Sequence, residues 1–170
     1  MPSRNPTTVD ATTLVFHQAL SDLVRIYQYR DRDRICCHDI SITQCHALEI
    51  LVARGPLRSQ ALAEALRLDK STVTRVVDAL ERKVYVERLA DPSDARAVLL
   101  RTTGKGAGLY RRIHDELIVE EAALLGDLDP DVRAGATEVL RRLARAAERR
   151  FAPACTTACL PSESDARRCA

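Results

Sequence analysis

Residues 59–103 read SQALAEALRLDKSTVTRVVDALERKVYVERLADPSDARAVLLRTT, and this stretch decides the fold. Residues 59–66 form a short helix and 70–83 a longer one, with a three-residue break between them. Residues 84–89 are rich in β-branched and aromatic side chains and read as a strand; 97–101 read as its returning partner. The intervening 90–96 is polar and carries Asp91-Pro92, a turn signal. Leu62, Ala63, Leu66 and Leu68 can pack against Val73, Val76, Val77 and Leu80, which would cross the two helices at a fixed angle. That element order is a winged helix-turn-helix.

The front of the second helix then presents Lys70, Ser71, Thr72, Thr74 and Arg75 outward. Hydroxyls and cations at a helix N-terminus suit phosphate contacts and major-groove base edges, and the helix dipole adds to the attraction. Arg75 is the candidate for reading guanine, a pairing that discriminates by roughly 1–3 kcal/mol. Ser59 and Gln60, opening the first helix, join as candidate DNA contacts. At the hairpin tip, Arg96 can enter a narrow minor groove, where the negative potential is enhanced. Asp94 could hold Arg96 or Arg75 in place. A helix pair alone is as readily a solvated face of a helical domain; the hairpin that follows makes the reading specific.

Outward from this stretch the chain is helical. Residues 1–9 are polar with two prolines and read as a disordered N-terminus. Over 10–29, Leu14, Ala19, Leu20, Leu23, Val24 and Tyr27 recur at three- and four-residue steps, an amphipathic helix. The charge run 30–34 reads as its solvated end and 36–42 as a connector. Thr43 is expected to cap a second helix through Arg54, which Gly55-Pro56 stops. After the hairpin, 103–125 carries Leu109, Ile113, Leu117 and Leu124 on one stripe. Asp129-Pro130 opens a last helix to about residue 151. Along it Arg141, Arg142, Arg145, Arg149 and Arg150 read as a solvated face. Residues 152–170 show no periodicity and read as a flexible, cysteine-bearing tail.

The fold class expected is therefore mainly α (α+β). A winged lobe over about 42–102 sits between dimerisation helices over about 10–34 and 103–151. The two long C-terminal helices hold more Leu, Ile, Val and Ala than a small lobe can bury, which points to a homodimer. A two-fold protein reads half-sites about 34–36 Å apart, one turn of DNA.

Composition narrows the function. The 170 residues carry 26 Lys and Arg against 24 Asp and Glu, a net charge of +2, so any nucleic-acid footprint must be a local patch. With 46% apolar and 29% charged residues the chain is globular rather than disordered. It has no Trp, two Phe and four Tyr, so its core is aliphatic. No apolar run reaches the roughly 18 residues of a membrane span. The N-terminal MPSRNPTTVDATTL lacks a signal peptide's apolar stretch, so the expected location is cytoplasmic and no membrane partner is expected. There is no phosphate-cradling glycine loop, no HExxH and no supported Cys–His–Asx set, so an enzyme is not expected.

The sequence resembles the MarR family of bacterial transcriptional regulators. The likeness runs from Ile42-Thr43-Gln44 through Leu62-Ala63, Leu68-Asp69-Lys70-Ser71-Thr72-Val73-Thr74-Arg75, Leu80-Glu81 and Val86-Glu87-Arg88. It continues through Asp91-Pro92-Ser93-Asp94-Ala95-Arg96 to Thr102-Thr103. The resemblance implies a triangular homodimer in which the first and last two helices intertwine and each lobe binds half of a pseudo-palindrome. By position it implies that Ser71, Thr72, Thr74 and Arg75 read the major groove and Arg96 the minor groove. Two positions depart from the family pattern, which has Gly where this chain has Arg67 and Val84. Another residue costs roughly 1–2 kcal/mol in the left-handed region that Gly enters freely, and a β-branched one is the worse case.

Six cysteines are the remaining oddity. Cys36, Cys37, His38, Cys45 and His46 lie within eleven residues at the mouth of the second helix. Soft thiolates favour thiophilic ions: three sulfurs suit a trigonal metal or metalloid, and an added His suits tetrahedral zinc. The zinc-sensing branch of the MarR family has ligands in places comparable to Cys45, His46 and His114. That branch uses more carboxylate and a second His, and here Ile118 stands four residues past His114. Oxidation is a second reading, with Cys45 or a second subunit's thiol resolving, because vicinal Cys36 and Cys37 pair poorly. A third makes Cys45 a small core residue and the pair incidental. His17 and His38 read as surface or core histidines, and Cys155, Cys159 and Cys169 as an inert tail trio.

The expected function is a homodimeric, DNA-binding repressor of a pseudo-palindromic operator, tuned by an effector. The effector expected is a thiophilic metal or metalloid at Cys36, Cys37, Cys45, His46 and His114. The alternatives are a thiol-redox or small aromatic-acid responsive regulator, or a protein-interaction module on a winged-helix scaffold.

Overall fold

Asp10 sets the start of the first helix: its carboxylate accepts from the Thr13 amide at 2.6 Å. In the computed structural model, which describes residues 10–151, this helix, α1, runs Ala11–Cys36. The charge run over 30–34 is thus helical, and Cys36 is the last residue of α1 rather than part of a connector. The second helix, α2 (Ile42–Arg54), is capped by Ser41 and not by Thr43. Ser41 accepts from the Gln44 amide while the Gln44 side chain accepts from the Ser41 amide, two orphan donors satisfied reciprocally. Gly55 ends α2 at φ 77°, a conformation open to glycine.

A two-residue strand absent from the sequence reading follows, β1 (Leu57–Arg58), then α3 (Ser59–Leu66) and α4 (Lys70–Arg82). The hairpin is β2 (Val86–Asp91) and β3 (Asp94–Thr102), and the antiparallel sheet has the order β1-β3-β2. Strand β2 begins two residues later than the composition suggests. Val84 stands at φ 61°, outside strand geometry, and the chain must turn there before it can extend. Arg67 likewise stands at φ 55°. Both positions that depart from the glycine pattern are therefore left-handed.

The described residues fall into two compact units, 10–119 and 120–151. In the first, Leu48, Leu51, Leu62, Val73, Val77, Leu80, Val86, Leu100 and Ile113 are the largest fully buried side chains. They come from α2, α3, α4, both wing strands and the start of α5 (Gly104–Gly126). Thr103 joins that helix to the wing: its amide donates to the Tyr85 carbonyl at 3.0 Å, and its hydroxyl accepts from the Gly106 amide at 3.1 Å. Only Ile35 of α1 is buried, while Leu14, Val15, Phe16, Leu20, Leu23, Val24, Ile26 and Tyr29 are exposed.

In the second unit the end of α5 leads to α6 (Pro130–Phe151). The Arg133 guanidinium donates to the carbonyls of Leu128 at 2.7 Å and Gly126 at 3.2 Å, satisfying groups freed at the helix end. Leu124, Leu125, Val132, Val139 and Leu140 are exposed. The expectations for residues 1–9 and 152–170, with Cys155, Cys159 and Cys169, lie outside the described residues.

Candidate nucleic-acid interface

The candidate recognition helix is α4, and Asp69 organises its first turn. The Asp69 carboxylate accepts from the Thr72 amide at 2.8 Å and from the Ser71 and Thr72 hydroxyls at 2.6 Å each. These donors hold its carboxyl well below the usual carboxylate range. Val73, Val76, Val77 and Leu80 are buried, so helical geometry turns Lys70, Ser71, Thr74 and Arg75 to the surface. The Thr74 hydroxyl donates to the Lys70 carbonyl at 2.9 Å. All three hydroxyls thus donate to acceptors on the protein itself and keep lone pairs that can accept. Lys70 and Arg75 have no ion pair among the described residues. Ser59 is half-buried at the start of α3, and the exposed Gln60 donates to Glu64 at 3.0 Å.

The hairpin tip is built around two carboxylates. Asp91 faces Asp94 across the turn, next to an irregularity at Ala90/Asp91. Asp91 accepts from the Ser93 amide at 2.9 Å and hydroxyl at 2.6 Å and from Arg58 Nε at 2.8 Å, with Arg58 Nη2 in ion-pair contact at 2.7 Å. It is the one buried charged residue among those described, and these donors pull its carboxyl down to about 2. Asp94 accepts from the Arg96 amide at 3.1 Å and lies 3.6 Å from Arg58. It holds neither Arg75 nor the Arg96 guanidinium among the described residues, which corrects the sequence reading. Arg88 of β2 pairs with Asp78 and Glu81 of α4, fastening the wing to the helix. Arg101 pairs with Glu87 at 2.7 Å.

The tentative effector residues are not drawn together. Cys36 and Cys37 are exposed, and the Cys37 thiol donates to the Asp33 carbonyl at 2.9 Å. Cys45 is buried; desolvation, with the charges of Glu49 and Asp31 adding to it, pushes its thiol up to about 11. His46 is exposed, because successive helical residues point roughly 100° apart. His114 is exposed beside Asp115 at 3.5 Å and tilted against the Tyr110 ring. His38, read as unspecialised, contacts Glu116 at 3.1 Å. Among the described residues no three His, Cys, Asp or Glu side chains form a group that could hold a metal ion.

Arg58 is the residue the sequence reading missed; its partner lies 33 positions away and no local spacing marks it. Ser41 was within reach, since Ser41-Ile42-Thr43-Gln44 is a capping-box pattern.

A family model described as MarR family matches residues 40–98. The chain is also 30% identical over 106 residues to the HTH-type transcriptional regulator MhqR of Bacillus subtilis, covering 62% of this chain and 73% of that protein. It belongs to the MarR family. A MarR-family chain is a transcriptional regulator, not an enzyme. The uncharacterized HTH-type transcriptional regulator YkoM of B. subtilis is 34% identical over 94 residues, and that match spans 55% of this chain and 61% of YkoM. Among solved structures, RV1404 of Mycobacterium tuberculosis superposes with a TM-score of 0.72 at 27% identity, covering 83% of this chain and 98% of that one. A mutant of S. aureus MepR bound to an oligodeoxyribonucleotide shares the fold, with a TM-score of 0.59 at 21% identity over 77% and 96% of the two chains. No described helix of this MarR-family chain is long and apolar enough to cross a membrane.

Proposed function

We propose that this MarR-family regulator is a cytoplasmic repressor that binds duplex DNA as a homodimer. The first turn of α4 enters the major groove, where Arg75 reads guanine and Ser71, Thr72 and Thr74 accept or position. Arg96 enters the adjoining minor groove. One observation carries this reading: Arg58, Arg88 and Arg101 are ion-paired, whereas Arg75 and Arg96 are exposed with no ion pair among the described residues. Two cations left free on a helix front and a wing tip suit two adjacent grooves. The DNA-bound MepR mutant supports the same use of the fold. A mobility shift on duplex DNA from the protein's own promoter region tests it. Arg75→Ala and Arg96→Ala should each weaken binding about tenfold or more. Unchanged binding by both variants would favour a protein-interaction module instead.

Dimerisation is supported by the apolar side chains exposed on α1, α5 and α6, among them Phe16, Ile118 and Val139. Patches of this kind mark association surfaces. Paired half-sites also raise affinity. Val139→Glu with Leu140→Glu should therefore convert a sedimenting dimer into a monomer.

For the effector, we propose thiophilic chemistry at the end of α1, where the Cys36 and Cys37 thiols are both exposed. A thiophilic metal or metalloid would take these two sulfurs first. Cys45, His46 and His114 could add donors only after α2 moves or from a second protomer. To shift operator occupancy the effector must favour one state by roughly 1–3 kcal/mol. Titrations with zinc and with arsenite should lose stoichiometry in a Cys36→Ser/Cys37→Ser variant; equal stoichiometry would overturn the Cys36/Cys37 site. Peroxide, applied to the same pair, tests thiol oxidation as the trigger.

A further inference from the structure

We propose that Arg58 is a positioning residue for DNA recognition: it bridges Asp91 and Asp94, fixes the wing tip, and so aims Arg96 without contacting DNA itself. This rests on the DNA-binding reading above and extends it to a residue outside the recognition helix and the wing hairpin.

Arg58 lies on β1, which pairs with β3 through Leu57↔Leu100 and Arg58↔Leu99. The strand order β1-β3-β2 keeps β1 off β2, yet the guanidinium reaches past β3 to Asp91, the last residue of β2. There it meets two carboxylates that face each other across the turn, Asp91 at 2.7–2.8 Å and Asp94 at 3.6 Å. Without a cation between them these like charges would repel across a cross-strand pair. Asp91 is nearly buried at 7% exposure, so water compensates it poorly. The same carboxylate holds Ser93 by its amide and hydroxyl, and Asp94 holds the Arg96 amide. The backbone that carries Arg96 is thereby linked, one carboxylate at a time, to Arg58.

The other end of the link matters equally. Arg58 immediately precedes α3 and occupies its N-cap position. A wing tip tied to that point moves with the helix pair rather than independently of it. The two groove-facing arginines are then presented as one unit, and less conformational freedom is lost when both engage. The Arg58 Nε donor, taken up by Asp91, is not available to a phosphate.

A double-mutant cycle separates positioning from direct contact. Kd is measured for wild type, Arg58→Ala, Arg96→Ala and the double variant on duplex DNA from the protein's own promoter region. Arg58→Ala should weaken binding about tenfold when Arg96 is present and less than about twofold when it is absent. Equal losses in both backgrounds would mean that Arg58 contacts DNA itself and would overturn the proposal. Amide hydrogen exchange on the free protein supplies a readout that needs no DNA. The Ser93 and Arg96 amides should exchange faster in Arg58→Ala, while the Val76 and Val77 amides of α4 stay protected. Unchanged exchange at Ser93 and Arg96 would also overturn the proposal. If wild type binds no DNA but Arg58→Ala still speeds that exchange, the DNA-binding reading fails and the wing lock survives without a recognition role.

Discussion

The Thr103 hydroxyl donates to the Val84 carbonyl at 2.7 Å, tying the start of α5 to the one β-branched residue that stands in the left-handed region among those described. The turn between α4 and β2 is strained at Val84, and Thr103 helps hold it there. The strain is intrinsic to the backbone, so glycine should relieve it. Val84→Gly should stabilise the fold by about 0.5–1 kcal/mol, the left-handed penalty less the extra entropy of an unfolded glycine. Thr103→Val should cost about 1–2 kcal/mol, because it removes that bond and the acceptor for the Gly106 amide. Urea denaturation at one fixed protein concentration measures both.

Gly106 and Gly108 sit two residues apart on α5 and should respond with opposite signs. A Cβ on Gly106 would lie 2.0 Å from the Tyr85 carbonyl oxygen, a rigid backbone atom, whereas one on Gly108 meets nothing within 4 Å. Gly106→Ala should therefore destabilise by about 1–3 kcal/mol through forced backbone movement. Gly108→Ala should stabilise by up to about 1 kcal/mol through helix propensity. Thermal melts of the two variants side by side check the contrast.

Acid should loosen the wing before it unfolds the core. The donors on Asp91, Ser93 first and then Arg58, lower its folded pKa to about 2 from an ordinary 3.8, outweighing the opposing effect of burial. A depressed carboxylate contributes stability that is fully present above its unfolded pKa and is lost as pH falls through the folded one. The window is thus pH 3.8 down to about 2. Asp91→Asn resembles the protonated form, so its stability deficit against wild type should be constant above about pH 5 and shrink toward pH 2. Chemical denaturation across that range gives the difference curve.

The thiols should divide by burial. Peptide-resolved mass spectrometry after brief iodoacetamide treatment should find Cys36 and Cys37 modified and Cys45 intact, since the thiolate is the nucleophile and burial opposes it. The raised Cys45 value also has a stability sign. Its contribution is full below the ordinary 9.0 and declines as pH rises toward about 11, where the unfolded thiol ionises and the folded one resists. Cys45→Ala should flatten that alkaline decline.

Much of the local chemistry was legible where cause and effect lie within a few residues, although the cap of α2 is Ser41 and not the expected Thr43. Helix α4 begins at Lys70 and Asp129-Pro130 opens α6, both where expected. The apolar spacing of Val73, Val76, Val77 and Leu80 selected the buried side of α4 and so placed Lys70 and Arg75 on its front. The departures at Arg67 and Val84 foretold two positive φ values, because only backbone conformation explains a glycine preference at such turns.

Tertiary structure decided which charges meet and which side chains stay apart. Asp94 met the guanidinium of Arg58 rather than that of Arg75 or Arg96 because β1 pairs with β3, and no short-range pattern announces a two-residue strand. Cys45 and His46 are neighbours in sequence, yet the turn of α2 sends one into the core and the other to solvent. Helical and capping preferences act over three or four residues, so the amino-acid order alone establishes them. A contact such as Arg58 with Asp91 depends on where two distant strands come to rest, and that is set only when the core closes.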